Sequence, residues 1–168
     1  EGAYIVATRN FTQITINDGV ITTVLLNKGD TYFYKTSNPL TYITGDKPVY
    51  VIHVSGFGCE LGEAILPPLS CAGSDQVSFT RTNTQTFILN ILCKTVATGN
   101  FLLNGSAALV PASGFTVVPG TGGVWSGFQR SYTTAEIPAG ATNLLRNTHP
   151  TDSLFAMGVI NGGASSGC

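Results

Sequence analysis

Five residues near the end of the sequence, Gly163-Ala164-Ser165-Ser166-Gly167, match the G-x-S-x-G pattern of a serine nucleophile. That pattern does chemistry only where a strand leads into the serine and a helix leaves it, which strains the turn and exposes the hydroxyl. A strand precedes the serine here, but no helix follows before Cys168, so the match is expected to be fortuitous. Glu60 and Glu63 are the closest pair of carboxylates. Glycoside hydrolysis needs two carboxyl groups facing each other across a bond, and neighbours within one connection do not face each other. His53 sits in the middle of an apolar strand and is expected as a core or half-exposed histidine, not a general base. No catalytic residue emerges, and the chain is expected not to be an enzyme.

Metal and phosphate chemistry find equally little support. There is no C-x-x-C pair, and His53 and His149 are not at ligand spacing, so zinc is not expected. Asp18, Asp30, Asp46, Asp75 and Asp152 all lie near turns, but no D-x-D-x-D run supplies the six to eight oxygens calcium takes. No cofactor is therefore expected, and a structural calcium is left open. Pro119-Gly120-Thr121-Gly122-Gly123 lacks the lysine of a phosphate loop and is expected to be a turn. Asn10-Phe11-Thr12 and Asn104-Gly105-Ser106 match the glycosylation sequon, as chance allows in so Thr- and Ser-rich a chain.

What remains is recognition. The polar groups best placed to meet a ligand are Asp75, Arg130, His149 and Asp152, expected on loops between strands. Stacking on a sugar would need coplanar exposed aromatics, for which Tyr32, Tyr34, Tyr42, Trp125 and Tyr132 are the candidates.

The elements that would carry these groups are strands. Apolar residues recur with period two almost everywhere. Phe11–Ile16 and Val20–Leu26 flank Asp18-Gly19, a hairpin signal of the two-residue type I′ kind, and Thr31–Tyr34 would complete a three-stranded meander. Val49–Val54 is expected as a central strand and Thr86–Leu92 as a strand buried on both sides. Residues 56–75 look like a long connection. Beyond Gly99 the predicted strands shorten, among them Ala107–Val110, Trp125–Tyr132 and Leu154–Ile160, and Thr133–Ala135 makes at most one helical turn. Many short strands between Gly- and Pro-rich turns predict an all-β, antiparallel sandwich or jelly-roll-like fold with little or no helix. Residues 1–168 form a single domain in this reading, or two closely packed β subdomains near 1–98 and 99–168.

Only 10% of the residues are charged, against about 25% in an average soluble domain. The surface is instead covered by Thr, Ser, Asn and Gly. Net charge is −1 and the basic residues are scattered, which argues against nucleic acid and against an anionic membrane surface. No run approaches the ~20 apolar residues of a membrane span. Cys59, Cys71, Cys93 and Cys168 make an even count, as an oxidising compartment favours. They allow three pairings, which sequence does not choose between. A Cys59–Cys71 bridge would close a short loop worth about 3 kcal/mol, leaving Cys93 for Cys168.

Two stretches resemble a known family. One is Asp46-Lys47-Pro48-Val49-Tyr50-Val51 through Gly58-Cys59-Glu60-Leu61-Gly62-Glu63-Ala64-Ile65-Leu66-Pro67-Pro68 to Cys71-Ala72-Gly73-Ser74. The other is Val118-Pro119-Gly120-Thr121-Gly122-Gly123-Val124-Trp125, with the tail from Met157 to Cys168. They are similar to the IgGFc-binding-like domain of large bacterial surface proteins, including adhesins of gliding bacteria, over roughly residues 40–168. The resemblance implies an extracellular, non-catalytic adhesive domain cut from a much longer surface protein. It brings no ligand residues with it, and the immunoglobulin binding of a distant animal relative is not carried over. The leading expectation is thus an adhesion or recognition module that binds a glycan, a protein or a solid surface. The alternatives are a spacer in a surface fibre and a lectin-like carbohydrate-binding module.

Overall fold

The computed structural model describes residues 1–57, 60–70 and 73–163. Among them are fourteen strands, three short 3-10 turns and no longer helix, so the chain is all-β. The chain divides into two compact units, Glu1–Leu69 and Ser70–Gly163. The subdomain boundary expected near residue 98 lies inside the second of these.

In the first unit the strands are β1 (Gly2–Ala7), β2 (Thr12–Asn17), β3 (Ile21–Leu26), β4 (Thr31–Lys35), β5 (Tyr42–Gly45), β6 (Val49–Phe57) and β7 (Glu60–Leu66). They form a four-stranded sheet, β4-β1-β6-β7, and a three-stranded sheet, β3-β2-β5. Alternation decides what each strand buries. Ile5 and Ala7 of β1 share a core with Ile14 and Ile16 of β2 and Leu26 of β3, so both sheets feed it. Val49–Val54 is a central strand as expected, since β6 lies between β1 and β7.

Three expectations for this unit are corrected. The turn after β2 is a three-residue loop, because Asn17 pairs with Ile21 and the left-handed residue between them is Gly19, φ 81°. The Asp18 side chain drives that choice. It is buried and accepts hydrogen bonds from the Ser37 amide and hydroxyl (both 2.7 Å), the Asn38 amide (3.1 Å) and the Thr41 hydroxyl (2.8 Å). The meander also stops at two strands. β4 leaves β3 at a turn closed by the Asn27 amide on Asp30 Oδ2 (2.8 Å) and pairs instead with β1, in the other sheet. Finally, the connection expected over 56–75 contains a strand, β7, paired with β6 from Val51↔Leu66 to Phe57↔Glu60.

The second unit contains β8 (Gln76–Thr80), β9 (Thr86–Lys94), β10 (Phe101–Leu103), β11 (Phe115–Val117), β12 (Trp125–Tyr132), β13 (Thr142–Asn147) and β14 (Phe155–Gly162). The sheets run β11-β12-β9-β14 and β10-β13-β8. Their core holds Phe87, Leu89 and Ile91 of β9 with Phe101, Phe128, Leu145 and Phe155. β9 is central, but only its odd-numbered face is fully buried; Ile88, Asn90 and Leu92 are half-buried. The strand expected at Ala107–Val110 is a 3-10 turn over Ala107–Leu109. Arg130 holds it there by donating to the Leu109 carbonyl (2.9 Å).

Cys93 lies on the buried face of β9 as a free thiol, and burial pushes its pKa up to about 12. The strand's alternation turns the thiol into the core, and no bridge from it is seen among the described residues. Cys59, Cys71 and Cys168 lie outside the described residues, as do Ser165 of the G-x-S-x-G match and the side chain of Glu60.

Candidate functional site

The first unit carries an apolar surface on the outer face of its larger sheet. Registers place Tyr4 opposite both Phe33 and Ile52, Ile52 opposite Ile65, and Val6 opposite Tyr50. Residues directly opposite in a ladder share a face. The outer face therefore collects Tyr4 and Val6, Phe33, Tyr50, Ile52 and Val54, and Leu61 and Ile65. Tyr50, Leu61 and Ile65 are 60%, 77% and 68% exposed, far beyond what core-forming side chains show. The rings of Tyr4 and Phe33 lie 4.8 Å apart at 45°. Lys35 stands on the β4 edge of the face and Glu63 on the β7 edge.

One end of this face is hollowed into an open groove of about 340 Å³, lined by Tyr4, Phe33, Lys35, Val54, Gly56 and Leu61 among others. Glycine makes the hollow possible. A Cβ at Gly2 would come within 2.6 Å of the Phe33 ring and 2.7 Å of the Tyr34 carbonyl, so the ring lies down over Gly2. The groove has the rings of Tyr4 and Phe33 for walls, with Lys35 and Glu1 among the residues that line it. The other sheet differs: its outer face alternates Ile21 and Leu25 with Thr23, Thr15, Gln13 and Thr44 and makes no continuous apolar patch.

The four residues expected to form a site are only partly gathered, all in the second unit. The Asp75 carbonyl accepts the Asn147 amide (2.9 Å), which brings it beside the loop carrying His149 and Asp152. In that loop His149 Nδ1 accepts the Asp152 amide (3.0 Å), and Asp152 pairs with Lys94 (2.6 Å). The hydrogen bond from Lys94, then that from Thr151, holds the Asp152 carboxyl below its ordinary range. Arg130 stands apart. It pairs across from Leu89, five residues along β9 from Lys94, or roughly 17 Å at strand spacing. It stacks on Tyr132 (4.7 Å) and pairs with Glu136, so it braces two turns. Among the described residues no three His, Cys, Asp or Glu side chains cluster as metal ligands would.

The aromatics expected to stack on sugars are mostly spoken for. Tyr32 and Tyr34 face the first core, Tyr132 is buried, and Tyr42 and Trp125 are half-buried. The exposed rings are instead Tyr4, Phe33 and Tyr50 on the outer face of the larger sheet and Phe11 in the connection between β1 and β2, none of them among the expected stacking candidates. A signal for that face existed: Val49-Tyr50-Val51-Ile52 is apolar at both parities, so one of its faces must lie on an outer surface or be covered.

Among the described residues no helix is long and apolar enough to cross a membrane. No curated protein matches the chain, and no solved structure does. The family described as IgGFc binding protein matches residues 2–160, which spans both units and includes the first forty residues that the sequence motifs left indistinct. The chain belongs to the IgGFc-binding protein family.

Proposed function

We propose that the chain is a non-catalytic, extracellular recognition module of a bacterial surface adhesin that grips a protein partner through the outer face of the β4-β1-β6-β7 sheet. The observation that carries this reading is the contiguous exposure of Tyr4, Phe33, Tyr50, Leu61 and Ile65 on one face. Soluble domains seldom expose such patches unless they meet a partner. Tyrosine and phenylalanine give large contact area for little side-chain entropy, and they are enriched in protein interfaces. The family description supports a protein ligand over a sugar or a solid surface, and an immunoglobulin Fc fragment is the first ligand to test.

The test immobilises the chain and measures binding to an Fc fragment, a peptide panel and a glycan array. Tyr50→Asp and Leu61→Asp should weaken whatever protein binds by tenfold or more, about 1.4 kcal/mol at least. His149→Ala and Asp152→Ala, in the second unit, should leave it unchanged. Binding lost through the second pair and kept through the first would move the site to the loop of β13 and β14. Glycan binding alone, or no binding to any of the three, would overturn the reading.

A further inference from the structure

We infer that β7 is a strand-addition edge, and that the partner docks on it as an extended segment with a basic residue between apolar ones. This rests on the reading of the same sheet as the recognition surface.

Backbone bonding across the sheet shows which groups of β7 point away from it. Ala7 exchanges bonds on the β4 side, donating to Asp30 (3.1 Å) and accepting from Gly29 (2.9 Å). Thr8 donates the other way, to Pro48 just ahead of β6 (3.4 Å). Antiparallel ladders alternate, so even-numbered β1 residues bond Tyr50, Ile52 and Val54. That turns Val51, His53 and Ser55 toward β7, where they meet Leu66, Ala64 and Gly62. The N–H and C=O groups of Leu61, Glu63 and Ile65 then point away from the sheet, and no described strand pairs with them. β7 is exposed along Leu61–Leu66, its register holds without a bulge, and neither lysine nor proline interrupts it. Those are the devices that normally blunt an edge. Another extended strand matches such a row of alternating donors and acceptors along its length.

Charge selects the occupant. A second copy pairing antiparallel over the full length of β7 would set Glu63 directly against its own symmetry mate, because Glu63 is the central outward residue. Like charges directly opposite are destabilising. A foreign strand carrying Lys or Arg at that position, with apolar residues two places either side, meets Glu63 with its cation. It also extends the apolar face beyond Leu61 and Ile65.

The probe is the synthetic peptide acetyl-Thr-Val-Thr-Lys-Thr-Val-Thr-amide, with a control N-methylated at alternate residues so that it cannot pair. Amide hydrogen exchange of the chain is followed by NMR. The parent peptide should slow exchange at Leu61, Glu63 and Ile65 by about tenfold or more near saturation, and the N-methylated peptide should not. Glu63→Pro removes the central outward donor without touching the β6 ladder and should abolish the protection. Glu63→Ala keeps the backbone and should weaken it only several-fold. His149→Ala, in the second unit, should leave it intact, and loss of protein binding in Tyr50→Asp and loss of peptide protection in Glu63→Pro report on the two readings separately. Equal effects of the two peptides, or no protection at millimolar peptide, would overturn the inference. So would protection of the same amides by self-association without peptide, which would make the occupant a second copy.

Discussion

The guanidinium of Arg81 lies over the ring of Phe87, 5.6 Å from its centroid, in the interior of the second unit. Its Nε donates to the Asn83 carbonyl (2.9 Å), one terminal nitrogen to Tyr132 (3.2 Å) and Ile137 (3.3 Å), and the other to Thr84 (3.2 Å) and Gln85. An arginine has five N–H groups, and here each ends on a main-chain carbonyl. Among the described residues no carboxylate pairs with it. The residue thereby ties the loop after β8 to the end of β12 and to the turn before β13.

Removing that cation should therefore be costly. Arg81→Met fills the volume but strands the buried Tyr132 and Ile137 carbonyls, each worth about 1–3 kcal/mol when unsatisfied, and drops three part-buried bonds besides. The expected loss is on the order of 3 kcal/mol or more, read as a lower urea midpoint. Arg81→Lys brings only three donors on a differently shaped head and should recover part of the loss. An Arg81→Met protein as stable as the parent would refute this role.

Asp18 predicts an acid limit. Burial alone would raise its carboxyl, but the donors from Ser37, Thr41 and Asn38 outweigh that and hold it below the ordinary value. A carboxyl whose folded pKa is depressed contributes stability that is complete above its unfolded pKa. That contribution is lost as pH falls from the ordinary carboxylate range, near 3.8, through the lower folded value. Asp18→Asn should lower stability at pH 7 and flatten the decline below about pH 4. Urea midpoints at pH 7 and pH 3 check it: an equal drop in the variant and the parent between the two would count against the assignment.

Cys93 predicts a silent thiol. With its pKa near 12 and no exposed surface, it has almost no thiolate at pH 8 and no access for a reagent. Iodoacetamide should leave Cys93 unmodified in the folded protein and label it fully in urea, as peptide mapping would show. Labelling of the folded chain would contradict its place in the core.

Local pattern made much of this architecture legible. Period-two alternation and Gly- or Pro-marked turns identify an all-β chain, and Val49–Val54, Thr86–Leu92 and Trp125–Tyr132 each correspond to a strand observed. The motifs around Lys47–Pro68 and Val118–Trp125 pointed to the family that the whole chain matches. These features are local: a strand's two faces and a turn's φ requirements follow from neighbours in sequence.

The tertiary structure decided the rest, because it depends on which strands become neighbours. Alternation tells β4 that it has two faces, not that its partner is β1 in the other sheet. Arg81 looks like one more scattered surface charge until three separate segments bring five carbonyls around it. Asp18 looks like a turn residue until the 37–41 loop supplies its donors. Tyr4, Phe33, Tyr50, Leu61 and Ile65 come from four strands, and only pairing in register assembles them into one exposed face.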